Sequence, residues 1–156
     1  MNTAQNHYHL AQINVGQLLA PQDDPRLAEF VDNLDRINAL AERSPGFIWR
    51  LQDDSGNALS YQAFDDPELL SNLSVWADVQ SLRSFVYHTQ HKAFVMRRKE
   101  WFHLLGKPYL ALWWIPAGHI PTLQEGVERL KLLREAGATP KAFNFSKIFS
   151  PEEEMS

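Results

Sequence analysis

Two periodicities alternate along this chain, and their order leaves few folds open to it. From Tyr8 to Val15 the side chains sort by parity, Ala11, Ile13 and Val15 on one side and Leu10, Gln12 and Asn14 on the other, as a strand requires. Asp24 before Pro25 supplies a helix cap and a tolerated first helical proline. Leu27, Phe30, Val31, Leu34, Ile37, Asn38 and Ala41 then keep a 3.6-residue rhythm, predicting an amphipathic helix over 25–43 that Ser44-Pro45-Gly46 stops. A second strand is expected over 47–51 and a third over 69–76, joined by a long polar connection over 53–68. Asp78 caps another helix. Residues 109–115 are apolar on both parities and read as a fourth, central strand. Thr122 and Glu125 have capping-box spacing, opening a helix that carries Val127, Leu130 and Leu133 and closes at Gly137. Phe143 and Phe145 alternate as a short edge strand.

The order βαββαβ predicts an α+β fold, the split βαβ or ferredoxin-like arrangement with an antiparallel sheet and an extra C-terminal helix. A sheet of that kind is expected to carry helices on one face only. A partner sheet is the simplest cover for the other face, which predicts a homodimer, a dimeric α/β barrel. The 156 residues are expected to form one domain over 1–156, with a core of 8–145 and a frayed acidic tail over 150–156.

Composition removes several function classes. Fifteen Lys+Arg against nineteen Asp+Glu give a formal net charge of -4, which argues against a dedicated nucleic-acid partner. The chain has no cysteine, so disulfides, thiolate metal sites and a cysteine nucleophile are excluded. It has no phosphate loop, no dinucleotide fingerprint, no G-x-S-x-G elbow and no H-E-x-x-H. No apolar run reaches membrane length and the start lacks a signal-peptide pattern, so a cytoplasmic protein without a membrane partner is expected. His88 and His91 are three apart, but a third ligand is missing nearby, so no metal is expected.

The chemistry concentrates in residues 78–105. Val79, Leu82, Phe85 and Val86 form one helical stripe. His91, Phe94, Val95, Arg98, Trp101, Phe102 and Leu105 form a second, out of phase with the first, which predicts a long helix with a kink or short break near 87–90. An imidazole and a guanidinium on an apolar stripe need partners, because an unpaired buried polar group costs about 1–3 kcal/mol. Either they satisfy structural groups, or His91 and Arg98 face a cavity and orient a ligand. In the second reading Phe94, Trp101, Phe85 and the strand tryptophans Trp76 and Trp114 are its walls. Arg50 is open between a dimer interface, a cavity and solvent. His119, held between Pro116 and Pro121, is read as a structural loop residue or a ligand contact.

The strings HLAQINVG, FVDNLDRINALAERSPGFIWRLQDDSGNA, NLSVWADVQSLRSFVYHTQHKAFVMRRKEWF and LWWIPAGHIPT cover much of residues 8–145. They resemble a bacterial family known as domain of unknown function 3291. That family is similar to a branch of the dimeric α/β-barrel superfamily, which includes antibiotic-biosynthesis and heme-degrading monooxygenases. The resemblance implies a small-molecule-binding protein, a cofactor-independent oxygenase acting on an apolar aromatic substrate. In that role His91 is the general base or orienting group, Arg98 stabilises an anionic intermediate and Asn14 bonds a carbonyl or phenolate. The alternatives are a non-catalytic metabolite-binding or interaction protein and a heme-binding protein. On the heme-degrading pattern Asn14 stands for its first-strand asparagine and His91 for its heme ligand. Phe85 stands where that pattern has tryptophan, and the spacing to His91 is shorter, both of which argue against heme degradation. No cofactor is otherwise expected.

Overall fold

A computed structural model describes residues 7–20, 24–51, 69–88, 100–103 and 106–151. Strand β1 (Tyr8–Gln17) lies between β3 (Leu69–Trp76) and β4 (Leu110–Pro116), antiparallel to both, and β2 (Phe47–Arg50) pairs antiparallel with the far side of β3. The sheet order is β2-β3-β1-β4, the ferredoxin-like order that the alternation of periods predicts. A 3-10 turn at Pro25–Leu27 leads into α1 (Ala28–Arg43). Asp24 caps that turn by accepting from the Arg26 backbone N–H at 2.9 Å. The Arg26 side chain and then its N–H hold the Asp24 carboxyl below the ordinary carboxylate range. Asp78 caps α2 (Val79–His88) through the Ser81 N–H at 2.8 Å, and Thr122 caps α3 (Leu123–Ala136) through the Glu125 N–H at 3.1 Å. Gly46, at φ +83°, ends the α1–β2 turn where a Cβ would strike Ser81.

Parity then divides the core. Ala11, Ile13, Val15, Leu73, Val75, Ala111, Trp113 and Ile115 project to one face and pack with Val127, Leu130 and Leu133 of α3. The helix approaches so closely that a Cβ on Gly126 would lie 2.9 Å from Ile13 Cδ1. The opposite face carries Leu10, Trp76, Leu112 and Trp114, packed with Ala41 of α1, Leu82 and Phe85 of α2, and Phe143. Both crossover helices therefore cover the face that holds Asn14.

Three expectations need correction. The sheet does not carry helices on one face only: α3 buries the second face within the same chain, so the premise for a partner sheet is gone. Strand β4 is at the edge, not the centre. It is apolar on both parities because α3 lies over one side and residues 143–149 pack on the other, with Leu112 and Phe143 exchanging backbone bonds of 2.8 Å. The third correction concerns the long helix. α2 ends at His88, and Trp101 and Phe102 lie on no helix. They prolong the β1 ladder past the end of β4, through Leu19 N–H to Trp101 O (2.9 Å) and His103 N–H to Gln17 O (2.8 Å). Backbone pairing with β1, and not a helical stripe, positions their side chains.

Candidate functional site

The helix-facing side of the sheet is built in rows set by strand register. The first row crosses all four strands as Phe47, Trp76, Leu10 and Trp114. Trp76 stacks on Phe85 of α2 with ring centroids 5.2 Å apart and meets Phe47 edge-on at 5.4 Å. The second row is Arg50, Ser74, Gln12 and Leu112, and the third is Asn72, Asn14 and Leu110. Beyond them Gly16 leaves bare backbone, and the Phe102 ring fills the space a Cβ there would enter, 2.5 Å from its position. Phe102 and Trp101 pack with Leu18, Leu27 and Phe30; the Phe30 ring lies 5.1 Å from Phe102 and 5.5 Å from Trp101. Two aromatic clusters thus stand on one face with a polar floor between them. From the Leu10 row to the Gly16 row is about 20 Å at ~3.4 Å per residue.

The floor is a connected set of amides. Gln12, only 3% exposed, donates from Nε2 to Asn72 Oδ1 and to Ser74 Oγ, both at 2.8 Å. Its Oε1 accepts from Asn14 Nδ2 at 2.9 Å, and Ser74 Oγ also accepts from the Trp76 indole N–H at 2.9 Å. Asn14 Nδ2 lies 3.5 Å from Asn72 Oδ1. Among the described residues, Asn14 Oδ1 and Asn72 Nδ2 have no hydrogen-bond partner, and both residues are half-buried. Arg50, at 8% exposure the one ionisable residue in these rows, meets Glu42 at 3.3 Å. The floor is therefore polar and close to neutral. Three amides and a hydroxyl stand where a sheet under helices ordinarily carries aliphatic residues, and the two with an open polar atom, Asn14 and Asn72, are the half-buried ones.

The residues expected at a site separate as follows. Trp76 and Phe85 are brought together, Asn14 stands on the same face two rows away, and Trp101 belongs to the second aromatic cluster. Trp114 shares a row with Trp76, but its indole N–H is taken by Phe149 O at 2.8 Å beneath residues 143–149. His119 is apart from the floor. It meets Glu125 at 2.8 Å, the carboxylate that also accepts from the Trp113 indole N–H at 2.9 Å, on the α3 side of the sheet. His91, Phe94 and Arg98 lie outside the described residues. Gln12, Asn72, Ser74 and Phe102 were not singled out as site residues by sequence reasoning. The usable signal was parity: Asn72, Ser74 and Trp76 alternate with Ser71, Leu73 and Val75, as Gln12 and Asn14 alternate with Ala11, Ile13 and Val15. Among the described residues, no cluster of metal-ligating side chains occurs and no helix is long and apolar enough to cross a membrane.

Several solved structures share the chain path in part. A conserved protein from Methanosarcina mazei Go1 has a TM-score of 0.49 at 17% identity, over 73% of this chain and 97% of its own. SnoaB, a cofactor-independent oxygenase from Streptomyces nogalater, has a TM-score of 0.44 at 16% identity, over 72% and 95%. A Chloroflexus aurantiacus protein provisionally described as an antibiotic biosynthesis monooxygenase has 0.43 at 14%, over 74% and 98%. Likeness at this level says nothing about activity. No curated protein matches the chain. The family described as Domain of unknown function (DUF3291) matches residues 9–156, nearly the full length, and the chain belongs to that family.

Proposed function

We propose that this chain binds a small, planar, largely apolar aromatic molecule on the sheet face between Trp76 and Phe102, and acts on it as a cofactor-independent oxygenase. The observation that carries the binding reading is the amide pair Asn14–Asn72, half-buried and partly unpaired between two aromatic clusters. Aromatic clusters at either end of the floor suit a largely apolar frame, and a few convergent polar groups fix its orientation, the usual composition of a small-molecule site. Asn14 Oδ1 accepts from the substrate hydroxyl and Asn72 Nδ2 donates to the same oxygen, the bond that persists once the hydroxyl proton is lost.

The proton-transfer and charge-stabilising roles fall to His91 and Arg98, on the stretch of sequence between α2 and Trp101. The base removes a proton from a phenolic substrate. The resulting anion donates electrons to dioxygen, a carbon–oxygen bond forms, and loss of water leaves a carbonyl. One oxygen atom enters the product, the other leaves as water, and the substrate supplies every electron. Because the amide floor and both aromatic clusters come from one chain, each chain is expected to hold the site by itself.

The test is oxygen uptake with a three-ring phenol, 9-anthrol, alongside equilibrium binding. Uptake matching product formation, at least tenfold lower in His91→Ala, supports the oxygenase. Saturable binding without uptake supports the non-catalytic reading instead. A Soret band with added hemin, lost in His91→Ala, supports the heme-binding alternative.

A further inference from the structure

The floor carries chemical information about the ligand beyond its flatness. We propose that Asn14 and Asn72 select a ring bearing a hydrogen-bond donor and acceptor on adjacent atoms, as in a cyclic amide. This inference rests on the small-molecule reading above.

Three observations lead to it. Asn14 and Asn72 are directly paired across β1 and β3, so their Cβ atoms are about 5 Å apart. One is left with a free carbonyl oxygen and the other with a free NH2, Asn14 Oδ1 and Asn72 Nδ2, while Gln12 holds both from beneath. The Arg50 guanidinium in the neighbouring row already meets Glu42. Among the described residues of these rows, a carboxylate or phosphate would set acceptors against the Asn14 oxygen with only this paired cation nearby, which favours a ring that can also donate there.

The pairing survives reversal of the network. The indole N–H of Trp76 only donates, so Ser74 Oγ must accept from it. The Ser74 hydroxyl can then donate to Gln12 instead of accepting from it, which turns Gln12, Asn14 and Asn72 over as a set. Asn14 then presents its donor and Asn72 its acceptor. In either sense one donor and one acceptor stand side by side. A cyclic amide and its hydroxy-imine tautomer differ by the same exchange, so both are accommodated without adding charge to the floor.

The experiment compares 2-quinolinone, N-methyl-2-quinolinone, quinoline-2-carboxylate and naphthalene by calorimetry or tryptophan quenching. The expected result is 2-quinolinone binding at least about tenfold tighter than the other three, the effect of roughly one or two neutral hydrogen bonds. Asn72→Asp keeps the shape but removes the donor, and should reduce that preference to within about twofold; Asn14→Ala should do the same by removing the acceptor. Naphthalene still binding both variants would show the aromatic walls intact and the variants folded. Equal wild-type affinity for all four probes, or tightest binding of the carboxylate, overturns the inference and leaves the aromatic-site reading standing. No binding of any probe overturns both. A preference for 2-quinolinone that survives in Asn72→Asp and Asn14→Ala also overturns it, since other groups would then be reading the ligand.

Discussion

Gly16 and Phe102 make a contact that few substitutions can imitate, because the ring occupies the volume a side chain on β1 would need. Gly16→Ala should cost about 1–3 kcal/mol by displacing that ring. Phe102→Leu should recover part of the loss in the alanine background while lowering stability in the wild type. Thermal unfolding of the four proteins measures this coupling, and additive effects would contradict the contact. Ser71 is the converse case: its hydroxyl is buried on the α3 face without a partner. Ser71→Ala should therefore raise stability by up to about 1 kcal/mol in denaturant unfolding, because an unmade hydrogen bond is removed together with its desolvation cost. At Glu125 two bonds diverge, to Trp113 and to His119. Glu125→Ala should cost about 1–3 kcal/mol by stranding a buried indole N–H, whereas His119→Ala, on the exposed side of the same carboxylate, should cost less than about 1 kcal/mol. Asn14 was named from the family resemblance, and strand parity set it opposite Ala11, Ile13 and Val15 without telling which face the crossover helices would cover. Gln12 and Asn72 were not, because an amide on a strand means little until register shows that three of them touch.

Among the elements, caps and strands followed local chemistry and were readable: Asp24, Asp78 and Thr122 each accept the bond their spacing predicts. The third strand lies where alternation put it, over 69–76. The failures came from tertiary pairing. A strand apolar on both parities reads as central, but β4 is an edge strand buried by α3 on one side and residues 143–149 on the other. Apolar residues at helical spacing read as a helix, but Trp101 and Phe102 pair with the end of β1. Their spacing was real and its cause was different. α3 is the element on which the closed sheet depends, with Val127, Leu130 and Leu133 packed on Trp113 and its neighbours. Removing residues 122–156 should expose that face and produce self-association or precipitation. A truncated chain that stays monomeric in sedimentation, with native-like circular dichroism, would contradict the cover assigned to α3.

For the molecule as a whole, the fold divides labour between two sheet faces. One, under α3, is continuous aliphatic and aromatic packing that stabilises the chain. The other, under α1 and α2, interrupts its packing with an amide floor between two aromatic clusters. Four of the five tryptophans report on that division, since Trp76 and Trp101 belong to the clusters at the two ends of the floor, while Trp49 and Trp113 pack on the α3 face. The most direct test is an indole 15N–1H spectrum recorded during titration with 2-naphthol. The Trp76 and Trp101 N–H resonances should shift saturably with one shared affinity, and those of Trp49 and Trp113 should stay in place. Saturable shifts of Trp113 with Trp76 and Trp101 unmoved would put the ligand on the wrong face of the sheet and contradict the site.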